Sequence, residues 1–232
     1  MSELPDRFPR GWFVLGHQRD FETESTKTIY AFNRKLLVTR NSDNSISLDL
    51  GEGESWPTLE INQMVMCWHD VEGGEPDYEP EKIDACYSDE WSDYGMASFL
   101  VKNNCRELID NMADKGHFGP VHQAPFEGFW NEAKDHTYTQ EMTADSPILG
   151  RDLFSKATYE GPAYMTTYMS ALQEGQKVES RLLVSHLPLT LTSFEINFGV
   201  MVKKYKIGQI VDMQKKLYIR VNIKQIENPS TA

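Results

Sequence analysis

Apolar and polar positions alternate with a period of two over much of this chain, and β-branched and aromatic residues fill the apolar slots. The runs at 12–16, 28–32 and 35–39 predict short strands, and Asn41-Ser-Asp-Asn44 is a turn cluster leading into another at 45–48. Gly51-Glu-Gly-Glu-Ser55 reads as a loop, and 59–69 as one further apolar strand. Residues 72–93, rich in Pro, Gly, Asp and Glu, read as an irregular linker. Period two returns between about 135 and 205, with strands expected at 136–142, 164–172, 178–186 and 194–202, and Glu174-Gly175 as a hairpin signal.

Two stretches switch to helical spacing. Cys105, Leu108, Ile109 and Met112 share one stripe within 101–116, and Ile207, Ile210, Val211, Leu217 and Val221 share another within 207–226. Strands followed by one long helix predict an α+β fold, with that helix packed across an antiparallel sheet.

Composition narrows the function classes. The net charge of −12 argues against nucleic acid, whose phosphates need a basic surface. No apolar run approaches a membrane span, and the opening residues lack the apolar core of a secretion signal. Cys67, Cys86 and Cys105, odd in number and widely spaced, suit a reduced, cytoplasmic setting. Residues 70–93 hold ten acidic side chains and one lysine, whereas 203–224 hold seven basic ones and only Asp212. These read as solvated faces or as the two halves of a head-to-tail subunit contact.

Candidate chemistry concentrates in Asp114-Lys-Gly-His117-Phe118-Gly-Pro-Val-His122. Two imidazoles and a carboxylate on one side of Fe(II) leave positions open for O₂ and substrate. On a straight helix residues five apart lie roughly 140° from each other, so the histidines converge only if the chain kinks. Pro120 supplies a kink, and i, i+5 convergence is also the signature of a π-bulge. On spacing alone the pair reads equally well as two unrelated polar residues near a helix end.

The run Asn111-Met-Ala-Asp114-Lys-Gly-His117-Phe118-Gly-Pro-Val-His122 resembles the catalytic-iron motif of Rieske non-haem iron oxygenases, in the branch of ketosteroid hydroxylases and sterol desaturases. Phe8-Pro-Arg-Gly-Trp12-Phe13, Lys35-Leu-Leu-Val-Thr-Arg40, Met64-Val-Met-Cys-Trp68-His69, Gly161-Pro-Ala-Tyr164 and Phe198-Gly-Val-Met-Val202 look like further segments of that family, so the resemblance covers most of 8–206. It implies a shortened β-rich Rieske-domain remnant at 8–75 and a helix-grip catalytic domain at 94–232. It also implies mononuclear Fe(II) on His117 and His122, with Asp114 and Asn111 in the electron-transfer and supporting shell. Phe118, Phe126, Tyr164 and Tyr168 are the expected lining of a pocket for a bulky apolar, steroid-like molecule, chosen from a wider set that includes Phe129, Trp130, Met165 and Met169.

The chain departs from the family pattern twice. A Rieske cluster takes two Cys and two His ligands. Here Cys67-Trp-His69 is followed by Cys86-Tyr-Ser-Asp89, with Asp in the fourth place, and 46–58 holds neither Cys nor His. No intrinsic [2Fe–2S] cluster is therefore expected, and electrons would come from a ferredoxin or a complete Rieske oxygenase subunit, in a homo- or hetero-trimer. The family's carboxylate ligand is also unmatched: Asn228 stands at its place, with Glu227 and Asp212 as the other candidates for a third ligand. Weak iron binding and no turnover by the isolated chain follow. A non-catalytic ligand-binding or oligomer-modulating subunit is the alternative. His186 reads as a core histidine with its hydrogen bonds satisfied, and His17 and His136 as surface residues.

Overall fold

The computed structural model describes residues 6–105, 116, 126–146, 150–173 and 175–204. Fourteen strands are found among them: β1 (Gly11–His17), β2 (Ser25–Ala31), β3 (Arg34–Arg40), β4 (Ile46–Gly51), β5 (Glu54–Ser55), β6 (Thr58–Ile61), β7 (Met64–His69), β8 (Gly95–Val101), β9 (Phe126–Lys134), β10 (Thr137–Ser146), β11 (Gly150–Glu160), β12 (Tyr164–Gln173), β13 (Gln176–Thr190) and β14 (Ser193–Val202). They form sheets in the orders β1-β7-β6, β2-β3-β4-β5 and β8-β14-β13-β12-β11-β10-β9.

The α+β expectation is corrected here. The described residues are nearly all sheet, with no helix of seven or more residues, and the helical content is two short 3-10 turns. Three strands absent from the sequence expectation account for much of the difference: β8, β9 and β11. Their own patterns are weak, with Gly128, Asn131 and Glu132 in β9 and Arg151 and Asp152 in β11, so pairing with a neighbour rather than intrinsic preference makes them strands. The expected helix at 207–226 and most of that at 101–116 lie outside the described residues.

The apolar run at 59–69 is two strands, not one. Asn62 and Gln63 both adopt left-handed backbone angles, φ 53° and 67°, and turn β6 back on β7 in a two-residue hairpin. β7 is buried at every position because its sheet is a middle layer. On one side Met64, Met66 and Trp68 join Trp12 and Val14 in a core that includes Tyr164, Leu183 and Met201 of the large sheet. On the other, Val65 and Cys67 join Phe13 and Leu15 in a core with Ala31, Leu36, Val38 and Leu48 of the four-stranded sheet. A strand covered on both faces has no polar side to show, which is why its sequence does not alternate.

The seven-stranded sheet is antiparallel throughout. Its small-sheet face carries Tyr164, Leu183 and Met201 against β1 and β7. The opposite, far face carries Met142, Leu153, Met169, Val184, Ile196, Phe198 and Val202. Gly161 (φ 67°) makes the turn between β11 and β12 where the layers meet, and a Cβ there would overlap the Tyr78 hydroxyl.

Candidate functional site

Asn111, Asp114, His117, Phe118 and His122 lie outside the described residues, as do Asp212, Glu227 and Asn228. Their flanks are described. β8 and β9, the strands on either side of the motif, occupy opposite edges of the seven-stranded sheet. Six strand spacings separate them, about 29 Å. Cys105, the last described residue before the motif, packs on the far face against Val184, Phe194, Ile196 and Phe198. A cleft of about 370 Å³ opens beside it, bounded by Phe8, Arg10, Pro162, Thr190 and Leu191.

The far face is apolar with a few buried polar groups set into it. Tyr159 on β11 pairs across Met165 of β12 to Val184 of β13, and His186 follows two residues further along β13. The Tyr159 and His186 rings lie 6.4 Å apart, and His186 meets the Phe194 ring at 5.7 Å. The Tyr159 hydroxyl and Asn131 Oδ1 on the same face have no hydrogen-bond partner, and the His186 ring has only the Pro162 carbonyl, outside ordinary hydrogen-bond geometry. Burial lowers the His186 pKa to about 4, with the Pro162 carbonyl opposing the shift, so the ring is neutral. Burial, with Cys105 nearby, raises that of the Tyr159 hydroxyl. A buried polar group without a partner costs about 1–3 kcal/mol, so such groups on one face are expensive for the fold. The expectation of a satisfied His186 is thereby corrected: the residue is core, but its ring is not satisfied.

The expected pocket residues separate. Tyr164 and Tyr168 project from the small-sheet side of β12, because residues four apart on a strand share a face and Met165 and Met169 take the other. Tyr164 is buried between layers and accepts a hydrogen bond from Asn62 Nδ2. Tyr168 donates to Glu179. Phe126 opens β9 opposite Ala144. Of the other histidines, His17 is buried with Nε2 3.3 Å from Gln63 Oε1, which corrects its surface placement, and His136 is exposed and stacked on Tyr78.

The near-match to a Rieske cluster does not assemble. Cys67 is fully buried in the core shared with the four-stranded sheet, and burial raises its thiol pKa far above the ordinary value. Cys86 lies on the other side of β7, beside the Tyr94 hydroxyl. His69 gives its Nδ1 proton to the Pro9 carbonyl at 2.9 Å and stacks on Phe32 at 4.6 Å, while Asp89 is exposed. The 46–58 segment closes as β4 and β5 around a tight Glu52-Gly53 turn. These residues do not fit a [2Fe–2S] group.

Relatives and solved structures agree with this architecture. The chain is 29% identical to a 3-ketosteroid-9-alpha-monooxygenase oxygenase component of Rhodococcus rhodochrous, over 88% of this chain and 67% of the relative. It is 29% identical to the protein of the same name from Mycobacterium tuberculosis, over 92% of this chain and 70% of that one. The chain thus spans about two thirds of these relatives' length. The first alignment runs over 263 residues yet takes in only 88% of 232, so several tens of the relative's residues have no counterpart here. Dicamba monooxygenase bound to 3,6-dichlorosalicylic acid shares the fold at a TM-score of 0.69 and 14% identity, covering 93% of this chain and 83% of that one. A quaternary ammonium Rieske monooxygenase shares it at 0.65 and 12%, covering 96% and 79%. The family model for the 3-ketosteroid 9α-hydroxylase C-terminal domain matches residues 67–225, which takes in the histidine motif and every strand of the large sheet, and the chain belongs to that family.

Proposed function

We propose that this chain is the catalytic region of a Rieske-type non-haem iron oxygenase for a bulky apolar, steroid-like substrate, supplied with electrons by another polypeptide. The family match across 67–225 carries this reading. The relatives' description as oxygenase components implies that other components serve them. We divide the chain into a shortened Rieske-like region, 8–75, and a catalytic region, 94–232. The first contains β1 to β7 and the second β8 to β14, in support of that division.

His117 and His122 would hold Fe(II), with a third position completed by Asp212, Glu227 or Asn228; iron, when bound, supplies O₂ activation. Asp114, three residues before His117, would accept its second ring proton and fix the tautomer, with Asn111 in support. Cys105, the last described residue before the motif, packs on the far face, which supports reading that face as the side of the sheet that serves the site. The far face is then the floor of the substrate pocket, with Phe118 and Phe126 as its expected aromatic walls. Cys67 and Cys86 occupy different cores, which supports our reading that the cluster is held by another polypeptide, a ferredoxin or a complete Rieske oxygenase subunit in a shared trimer. No helix among the described residues is long and apolar enough to cross a membrane. We place the protein in the cytoplasm on the reduced state of Cys67 and Cys86.

Co-expression with a complete ketosteroid oxygenase subunit and its reductase tests this. Iron content and 3-ketosteroid hydroxylation attributable to this chain should both drop in His117→Ala/His122→Ala. A chain that binds steroid but never iron, with turnover unchanged by the double substitution, would instead be a non-catalytic ligand-binding subunit.

A further inference from the structure

We infer that linker residues 77–87 are a pH-sensitive strap between the small sheets and the large one, held shut at Glu160 and opened when that carboxyl ionises. None of the groups involved belongs to the histidine motif or to the substrate floor. On one side the stretch is tied to β1 and the β6–β7 turn. The Tyr78 carbonyl accepts from Trp12 Nε1 at 2.7 Å, and the Cys86 carbonyl accepts from Gln63 Nε2 at 2.9 Å. Asn62 holds the Glu81 carbonyl and the Ile83 N–H through its side chain and donates its own backbone N–H to the Tyr87 hydroxyl, each at 2.8 Å. On the other side, among the described residues, one hydrogen bond joins the stretch to the large sheet: the Glu81 N–H donates to the Glu160 carboxyl.

Glu160 ends β11 opposite Tyr164, on the face that meets β1 and β7, and is 3% exposed. The groups around it do not favour its ionised form. No described cation acts on it, and Glu81 on the strap adds a second negative charge. Asp77 is bound by Arg10, and the Tyr78 and Tyr164 hydroxyls stay protonated because burial raises both. His136, in the β9–β10 turn, stacks on Tyr78 at 4.1 Å. A carboxylate closed into this place gives up water for one N–H donor, and burial outweighs that bond, so the pKa stands at about 7. Opening the strap returns water to the carboxylate. The closed form therefore binds the proton more tightly than the open one. Closure is firm at low pH and weakens as pH rises through 7. Such an opening needs only the strap to move, since proteins open in local units well below the cost of global unfolding.

Native-state hydrogen exchange on the full chain tests this. The Glu81 and Ile83 amides, which donate to Glu160 and Asn62, report the strap, and the Leu183 amide in β13 reports global unfolding. After correction for the intrinsic rate, the strap amides should lose about ten-fold in protection between pH 6 and 8. That factor follows from a carboxyl at 4.5 when open and about 7 when closed. The loss should persist unchanged in low urea, because a local opening exposes little surface. Glu160→Gln cannot ionise and keeps an acceptor for the Glu81 N–H, so its strap protection should stay level over the same range. Strap amides that follow Leu183 in urea would open only with the whole fold and would overturn the inference. So would wild-type protection that is level with pH, or an equal loss in Glu160→Gln. Should that variant fail to fold, the wild-type pH and urea series decides alone.

Discussion

Asn62 Nδ2 donates to the Tyr164 hydroxyl at 3.0 Å, which ties the β6–β7 turn to the first residue of β12. The same amide nitrogen donates to the Glu81 carbonyl, and Asn62 Oδ1 accepts from the Ile83 backbone N–H, both at 2.8 Å. One fully buried side chain thus joins the middle sheet, the acidic linker and the large sheet. Asn62→Ala would leave an N–H, a carbonyl and a hydroxyl without partners and put alanine at φ 53°. A loss of about 3 kcal/mol is expected in urea unfolding, with the m-value unchanged. Asn62→Asp should recover little, because it lacks the amide donor.

Gly161 gives a sharper geometric test. Its φ of 67° and the Tyr78 hydroxyl at the position of a Cβ both resist a side chain. Gly161→Ala should cost roughly 2–4 kcal/mol. Tyr78→Phe removes the colliding oxygen and a long 3.4 Å bond from Trp12 N, so alone it should cost little. In the double variant part of the alanine cost should vanish. Strict additivity of the two changes would show that the backbone angle, not the collision, sets the penalty.

The thiols report on the small sheets. Cys67 and Cys86 are buried in cores on opposite sides of β7. Neither should react with a disulfide reagent in the native protein, and both should label only at the rate of unfolding. Fast labelling of Cys67 in folded protein would contradict the middle-layer position of β7.

Much of the large sheet was legible because alternation at 164–202 is strong and the Gly175 hairpin signal is local. Which face a residue takes was not. Tyr164, Met165, Tyr168 and Met169 are all pocket-like in composition, yet a strand sends neighbours to opposite sides, and only pairing with β13 and packing on β1 decide which. β7 hid its hairpin because burial on both faces removed the polar alternation that would set β6 and β7 apart, leaving only Asn62 and Gln63 to mark the turn. The weak strands β9 and β11 are held by their partners and carry little signal of their own. The family resemblance, by contrast, rested on the spacing of Asn111, Asp114, His117 and His122, a short-range pattern that needs no knowledge of pairing.

Glu160 should make stability depend on pH. The carboxyl sits at the end of β11 beside the linker, is buried, and has its pKa raised from 4.5 to about 7. Desolvation is the main cause, opposed by the Glu81 backbone N–H that donates to it. The raised value means that the folded protein binds this proton more tightly than the unfolded chain. Its burial is therefore tolerated below about pH 4.5, and stability falls as pH rises from there through 7, where the group must ionise inside the fold. The full shift would correspond to roughly 3 kcal/mol, and partial solvent access reduces this to about 2. Glu160→Gln keeps an acceptor for the Glu81 N–H and cannot ionise. Between pH 5 and 8 the wild type should lose about 2 kcal/mol relative to Glu160→Gln in matched urea titrations. Parallel stability curves for the two proteins across that range would mean the carboxyl ionises without penalty, and that water reaches it at the layer junction.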